Sequence, residues 1–226
     1  MAQKRSAGRT SKAEHTRTGI VDAAMTLFRA GGYDATTMRA IADEAGVSLG
    51  SAYYYFSGKE ELVQAFYDQI QVEHAAAVAG LPEQPGFAER LRAVLDTFVD
   101  VAAPFHDFGA QFFRNAADPR SPLSPFSPES TPAREASTAL FRDAVEGSDL
   151  KLAPALREEL PGLLWLLHMG VVLFWVHDDS EDQRRTRTLV AGLVPIVDRS
   201  VRLTRLPVVR GLVDDGLGLL RSLRGA

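Results

Sequence analysis

Cysteine is absent from this chain of 226 residues. Disulfides, thiolate metal sites and cysteine nucleophiles are therefore excluded. The chain also lacks an uninterrupted apolar run of about 18 to 20 residues, the length that a membrane-spanning helix needs. The longest candidate, 163–176, contains His168 and is interpreted as a buried helix. Because no apolar stretch follows the basic N-terminal segment, we expect no secretory signal, no membrane association and a cytoplasmic location.

Sequence motifs of the common enzyme classes are missing as well. There is no phosphate-binding loop, no dinucleotide-binding glycine pattern and no HExxH. Helical di-metal enzymes need Glu-x-x-His pairs, and the chain has none. The acidic run at 177–182 matches no metal-binding spacing, and acidic residues also suit a helix N-terminus. We predict that the protein is not an enzyme and has no cofactor and no metal site.

Charge is distributed unevenly along the chain, although the net charge is only −4. Residues 1–59 hold eight Lys or Arg against five Asp or Glu, whereas residues 60–226 hold seventeen against twenty-four. A basic N-terminal end on an acidic protein suggests a polyanionic partner at that end. A solubilising disordered tail would carry the same charge, so composition alone leaves both explanations open.

Apolar residues recur at helical spacing, and no strand-like alternation stands out, so the sequence predicts an all-α fold. We expect a disordered basic arm over 1–13, a three-helix helix-turn-helix domain over 14–60, and a larger helical regulatory and dimerisation domain over 61–226. Five prolines between residues 116 and 132 predict a long mobile loop.

The segment 36–56 is typical of a helix-turn-helix. Thr36 and Thr37 are candidate N-caps of one helix, Gly46 interrupts the pattern, and Ser48 can cap a second, short helix. In this motif the outer face of the second helix enters the major groove of DNA. Tyr55 and Phe56, at the end of the second helix, are expected in the core rather than on DNA.

The run TTMRAIADEAGVSLGSAYYYFSGKEEL (36–62), with the preceding FRAGGY (28–33), resembles the DNA-binding domain of TetR-family (tetracycline-repressor-like) regulators. The resemblance covers about residues 14–66. It implies a second, all-helical domain that binds a small molecule and forms a homodimer. It also implies that the protein regulates transcription by binding double-stranded DNA at a palindromic operator.

Residues with polar groups or small side chains on this motif are the candidate DNA contacts. They are Thr36, Thr37, Arg39, Ser48, Leu49, Gly50, Ser51, Tyr53, Tyr54 and Lys59. Leu49 stands where the family often has lysine, and Tyr54 where it often has histidine. Both departures put the operator sequence in doubt but not DNA binding itself. Arg39 could equally be a solvated charge.

Candidate ligand-binding residues are the aromatic and neighbouring side chains of the second domain. They are Phe98, Phe105, Phe108, Phe112, Phe113, Phe141, Trp165, His168, Met169 and Trp175. Aromatic residues at helical spacing are also typical of plain core, and His168 could be a hydrogen-bonded core histidine. If a pocket exists, its apolar walls favour a hydrophobic or aromatic ligand.

In the family that this chain resembles, two long C-terminal helices of each subunit form a four-helix bundle. The best match is 163–176 together with 181–205, although the first helix could instead be purely internal. We predict a repressor that a small hydrophobic or aromatic ligand releases from its operator. The alternative is a DNA-binding regulator whose C-terminal domain binds a protein partner and no ligand.

Overall fold

The structure is a computed structural model that describes residues 2–106, 109, 116–118 and 120–224, with the backbone alone at 2–11, 210, 220 and 223–224. Among these residues there are helices and turns but no β-strand, which confirms the all-α prediction. The helices are α1 (Ala2–Gly31), α2 (Met38–Glu44), α3 (Leu49–Tyr55), α4 (Lys59–Ala79), α5 (Phe87–Ala102), α6 (Thr131–Glu146), α7 (Pro154–Val176), α8 (Arg184–Leu203) and α9 (Pro207–Arg224), with 3-10 turns at Ala103–Phe105 and Glu181–Gln183.

The chain divides into two compact units. The first comprises Met1–Ile70 and Pro104–Ala133, and the second comprises Gln71–Ala103 and Arg134–Ala226. The sequence predicted a boundary at residue 60, but the first unit continues along α4 to Ile70. The physical reason is that Phe66 of α4 packs edge-on against Phe105, with 4.7 Å between ring centres.

The core of the first unit is built on one apolar face of α1. Ile20, Ala24 and Phe28 lie four residues apart on that face and are fully buried. Helix α1 packs on α2, and α2 packs on α3. This arrangement holds the short helix α3 on a rigid base.

The first helix begins at Ala2, within the segment 1–13 for which the sequence predicted a disordered arm. Ala, Gln, Lys and Arg, which are good helix formers, supply most of this segment, and it contains no proline. A helix that is already nucleated can extend through such residues at little cost.

The proline-rich segment predicted as a mobile loop is a series of hydrogen-bonded turns in its described part. The N–H of Ser127 donates to the carbonyl of Ser124 at 2.9 Å, and the Ser127 hydroxyl donates to the carbonyl of Pro122 at 2.8 Å. From α4, the Tyr67 hydroxyl donates to the carbonyl of Leu123 at 3.3 Å. Serine hydroxyls here supply the donors that proline lacks, which orders the segment.

The second unit has one hydrophobic core, to which α5, α6, α7, α8 and α9 all contribute. Helix α5 packs along α8, and α7 packs against both α8 and α9. The buried residues of this hydrophobic core include Leu91, Leu95, Phe141, Val145, Leu164, Val171, Val190 and Leu217.

By its length and composition alone, helix α7 could cross a membrane. Half of its most apolar window is buried inside the protein, however, and Leu164, Trp165 and Val171 belong to the core of the second unit. A core helix of that kind is apolar on most sides because it is surrounded by its neighbours. The prediction of a buried helix over 163–176 therefore agrees with the packing of α7.

The acidic run at 177–182 forms the corner between α7 and α8. The buried Asp178 carboxylate accepts hydrogen bonds from the N–H and hydroxyl of Thr186, each at 2.7 Å, and from the N–H and hydroxyl of Ser180 at 3.0 and 2.6 Å. Burial raises the pKa of this carboxyl, but these four hydrogen bonds outweigh it and hold the pKa well below its usual range. Helix α8 begins at Arg184 rather than at 181, because Asp182 and Gln183 adopt left-handed backbone angles with φ of 53° and 50°.

Candidate nucleic-acid interface

Helices α2 and α3 form a helix-turn-helix whose turn is held by the backbone. Gly46 adopts a left-handed φ of 67°, a conformation that favours glycine. The N–H of Val47 then donates to the carbonyl of Ala42 at 2.9 Å, which closes the turn. The predicted interruption at Gly46 is confirmed.

Both helices start at the caps that the sequence indicated. The Thr37 hydroxyl accepts from the N–H of Ala40 at 3.2 Å, and the Ser48 hydroxyl accepts from the N–H of Ser51 at 3.0 Å. Of the two candidate caps, Thr37 and not Thr36 begins α2. The side-chain oxygens of Thr37 and Ser48 therefore position the helices, while both residues remain exposed.

The outer face of α3 is open to solvent. Tyr54 is 83% exposed and Tyr53 is 52% exposed. Gly50 is exposed, and a Cβ built on it meets only the Ser48 hydroxyl oxygen, at 4.0 Å. Ser51 and Leu49 are half-buried. The helix thus presents a narrow surface with two tyrosines, two hydroxyls and a bare backbone at Gly50.

Three other predicted DNA contacts flank this surface with different environments. Arg39 is exposed on α2. Lys59 lies 4.4 Å from the ring centre of Tyr33, and its ammonium donates to the Tyr33 carbonyl at 2.6 Å. The Thr36 side chain is buried and donates to the carbonyl of Gly32 at 2.8 Å. The Thr36 hydroxyl is therefore used within its own turn, and a contact of Thr36 with DNA stays a prediction.

The inner face of α3 joins the core. Ala52 is fully buried and Phe56 nearly so, whereas Tyr55 is half-buried. The guanidinium of Arg17 on α1 lies 5.0 Å from the centre of the Phe56 ring. The prediction that Phe56 belongs to the core is confirmed. With one face anchored in this way, α3 has only its outer face available to a partner.

In the second unit, several predicted ligand residues lie together around His168. The ring centre of His168 is 4.4 Å from that of Phe98 and 5.6 Å from that of Phe141. Phe98 in turn lies 6.1 Å from Trp175. All four side chains are buried. Trp165 is buried in the hydrophobic core of the second unit, and Met169 is half-buried against that core.

Phe105 lies apart from this group in the fold's division into units. Phe105 belongs to the first unit, where it packs on Phe66 beneath the guanidinium of Arg29, and its role as a ligand residue stays a prediction. Phe108, Phe112 and Phe113 lie outside the described residues.

Sequence reasoning missed His74, which is fully buried on α4. Its ring centre lies 5.8 Å from Phe98 and 6.4 Å from His168. A signal was present, because Leu62, Phe66, Ile70 and His74 follow one another at intervals of four residues on one helix face. We refer to His74, Phe98, Phe141, His168 and Trp175 as the histidine cluster.

In the first unit, α1 and α2 support the short helix α3, which follows a glycine turn and exposes its outer face. This arrangement is that of a helix-turn-helix DNA-binding protein. Residues 20–66 match the model of bacterial regulatory proteins of the tetR family. Residues 90–219, more than half of the chain, match the model of the tetracyclin repressor-like C-terminal domain. The chain therefore belongs to the TetR family of transcriptional regulators and is not an enzyme.

Similar proteins of known description are also HTH-type regulators. A probable HTH-type transcriptional regulator of Pseudomonas putida, ArpR, is 28% identical over 214 residues, which is 93% of each chain. The Pseudomonas putida regulator SrpR is 45% identical over 65 residues, or 29% of each chain.

Solved structures share the fold. A TetR regulator from Nitrosomonas europaea superposes with a TM-score of 0.63 at 21% identity, over 80% of this chain and 96% of that one. Thermus thermophilus FadR, a transcriptional repressor solved in complex with lauroyl-CoA, superposes with a TM-score of 0.53 at 22% identity, over 79% and 92%. At these identities the likeness concerns the fold.

Proposed function

We propose that the protein is a homodimeric, cytoplasmic repressor that binds a palindromic operator through α3 and releases it when a small hydrophobic or aromatic ligand binds the second unit. The observation that carries DNA binding is the outer face of α3, where Tyr54 and Gly50 project beyond a base that is anchored by Ala52 and Phe56. A surface of this width fits the major groove, which accommodates one α-helix.

Contacts to phosphate and contacts to bases come from different residues in this proposal. The exposed Arg39 and the hydroxyls of Thr37 and Ser48 suit phosphate oxygens. Tyr54, Tyr53 and Leu49 suit base edges, and an apolar side chain such as Leu49 can contact a thymine methyl group. Lys59 adds positive charge while it holds the turn before α2.

A second copy of the chain fits the apolar surface of α7 and α8. Leu166 and Leu173 of α7 and Ile196 of α8 are exposed, although large apolar side chains are costly in water. Gly170 and Gly192 lie on the same helices, and nothing stands within 4 Å of a Cβ built on either. Small residues among exposed apolar ones allow helices of a partner to approach closely. A dimer also places two α3 helices on successive major grooves, about 34 Å apart.

The histidine cluster supports ligand binding over a protein partner as the signal. Its buried aromatic rings surround two polar imidazoles, which is the composition of a small-molecule site. Ligand binding would shift the protein toward a state with lower operator affinity by as much as the ligand prefers that state.

DNA binding is tested by fluorescence anisotropy on DNA from upstream of the protein's own gene. We expect one fragment to bind specifically, with an affinity that falls steeply as salt rises. Tyr54→Ala should lower the affinity for that fragment about tenfold or more, since a direct base contact is worth about 1 to 3 kcal/mol. Phe126→Ala, which removes another exposed ring of the same unit, serves as the control and should bind like the wild type. Equal affinity for all fragments, or an unchanged Tyr54→Ala, would contradict the proposal.

A further inference from the structure

The histidine cluster contains two buried imidazoles, those of His74 and His168. His74 is 0% exposed and His168 is 1% exposed. Among the described residues, neither Nδ1 atom has a hydrogen-bond partner. Buried polar groups in proteins are nearly always hydrogen-bonded, so two such atoms in one cluster require an explanation.

The hydrogen bond of His74 determines which of its nitrogens carries the proton. Its Nε2 lies 2.8 Å from the carbonyl oxygen of Val94. A carbonyl can only accept, so Nε2 is the donor. In a neutral ring the other nitrogen then has no proton, and Nδ1 of His74 is a fixed acceptor that needs a donor.

Both rings are neutral at physiological pH. Burial and, to a smaller extent, the neighbouring His74 together lower the pKa of His168 to about 3. Burial also lowers the pKa of His74, against the opposing effect of its hydrogen bond to Val94. Neutral imidazoles among aromatic rings offer no positive charge to a carboxylate or phosphate.

We propose that the histidine cluster binds an uncharged aromatic molecule with a hydroxyl group, and that this hydroxyl donates to Nδ1 of His74. The inference rests on the proposed ligand-responsive function and specifies the chemistry of the ligand. Phe98, Phe141 and Trp175 supply the aromatic surroundings. His168 is the second polar contact, because a hydroxyl oxygen can accept one hydrogen bond while it donates another.

The test compares four probes of one shape by isothermal titration calorimetry with the full-length protein. 2-Naphthol carries the hydroxyl donor, 2-methoxynaphthalene only an acceptor, naphthalene neither, and 2-naphthoate a negative charge. We expect 2-naphthol to bind at least about tenfold more tightly than the other three, because a site built to bond a hydroxyl discriminates against analogues that lack it.

The variants identify the residue responsible. His74→Phe should reduce the preference for 2-naphthol to less than about threefold, and His74→Gln, which keeps an acceptor and a donor, should restore part of it. His15→Phe, at an exposed position of the other unit, should keep the full preference. If His74→Phe does not fold, nitrogen NMR of the wild type decides: the Nδ1 resonance of His74 should shift on addition of 2-naphthol and not of naphthalene.

Three results would overturn the inference: no binding of 2-naphthol, equal binding of 2-methoxynaphthalene, or tightest binding of 2-naphthoate. Release of the operator is measured separately, by anisotropy with the same probes. Selective binding of 2-naphthol without release would leave the site assignment standing and refute the ligand-responsive mechanism. If another probe releases the operator and 2-naphthol does not bind preferentially, the ligand-responsive mechanism stands and the site assignment is refuted.

Discussion

At the scale of single residues, polar groups inside the protein have separate tasks. The Thr36 hydroxyl is used within its own turn, where it donates to Gly32. The imidazoles of His74 and His168 are instead buried among aromatic rings, and the Nδ1 atom of each has no hydrogen-bond partner in the part of the chain that the structure describes. A buried donor or acceptor without a partner costs about 1 to 3 kcal/mol. A protein tolerates that cost where a site for another molecule requires it.

The pKa of His168 leads to a prediction about pH. Its value of about 3 in the folded protein lies below the ordinary 6.5, so between these values the unfolded chain binds a proton that the folded one does not. The free energy of unfolding should therefore fall as the pH drops from 7.5 to 5, by about 1 to 2 kcal/mol from this residue. Burial also lowers the pKa of the neighbouring His74, so this residue adds to the loss of unfolding free energy at low pH.

Urea unfolding at the two pH values checks this expectation. His168→Phe should lose less stability on acidification than the wild type, whereas His15→Phe should lose as much as the wild type. A pH dependence that is the same in all three proteins would show that His168 can be protonated without unfolding.

At the scale of helices and turns, caps and corners determine where elements begin. The Asp178 carboxylate joins the end of α7 to the start of α8 through Ser180 and Thr186. The N–H groups and hydroxyls of these two residues point at one buried acceptor. Because the corner fixes α8 relative to α7 within the second unit, it also supports the apolar surface that these helices share.

Asp178→Ala should therefore lower the free energy of unfolding by about 2 to 3 kcal/mol, since it leaves buried donors without their charged acceptor. The neighbouring Asp179→Ala removes an ion pair between exposed side chains, with 2.7 Å between Asp179 and Arg185. Exposed pairs of this kind contribute little, so this control should stay close to the wild type. Equal losses in both variants in urea unfolding would refute the role of Asp178.

Sequence patterns predicted the helix-turn-helix because its signals are local. The caps at Thr37 and Ser48 and the interruption at Gly46 act within four residues of the helix ends. The features that the sequence did not predict depend on tertiary contacts between residues far apart in the chain. The turns over 120–132 accept hydrogen bonds from Gln64 and Tyr67, more than fifty residues away. Phe105 was predicted together with the aromatic residues of the second domain, but it belongs to the first unit.

The histidine cluster shows the same limit at a candidate site. His168 was identified from its apolar surroundings on one helix. His74 lies on another helix, α4, and only the fold brings the two ring centres to 6.4 Å. The hydrogen bond to Val94 that assigns the proton of His74 is equally non-local. The residue types in the sequence thus indicated a candidate site. The proximity of His74 and the position of its proton could be read only from the structure.

At the scale of the whole molecule, the proposed dimer makes operator binding depend on α7 and α8. Leu173→Glu places a charge on the exposed apolar surface of α7, where Leu173 is 45% exposed. We expect this variant to be monomeric by light scattering and to lose operator affinity, since a charge without a partner is costly to bury in an interface. Leu81→Glu makes the same change at an exposed position between α4 and α5. This control should remain dimeric, and a dimeric Leu173→Glu would refute the assignment.

The central claim is that the bare backbone at Gly50 lies against DNA. Gly50→Ala and Gly50→Val add a side chain that meets only solvent and the Ser48 hydroxyl in the free protein. Alanine in place of glycine favours a helix by up to about 1 kcal/mol, so Gly50→Ala should fold at least as stably as the wild type. Gly218→Val, at an exposed glycine of α9, is the matched control for the larger substitution.

Operator affinity of these variants, measured by anisotropy alongside their urea unfolding, tests the claim most directly. We expect affinity to fall from wild type to Gly50→Ala and to fall further, by about tenfold or more, in Gly50→Val. Stability should not fall in parallel, and Gly218→Val should bind normally. A folded Gly50→Val that binds the operator as tightly as the wild type would show that the backbone at Gly50 does not lie against DNA.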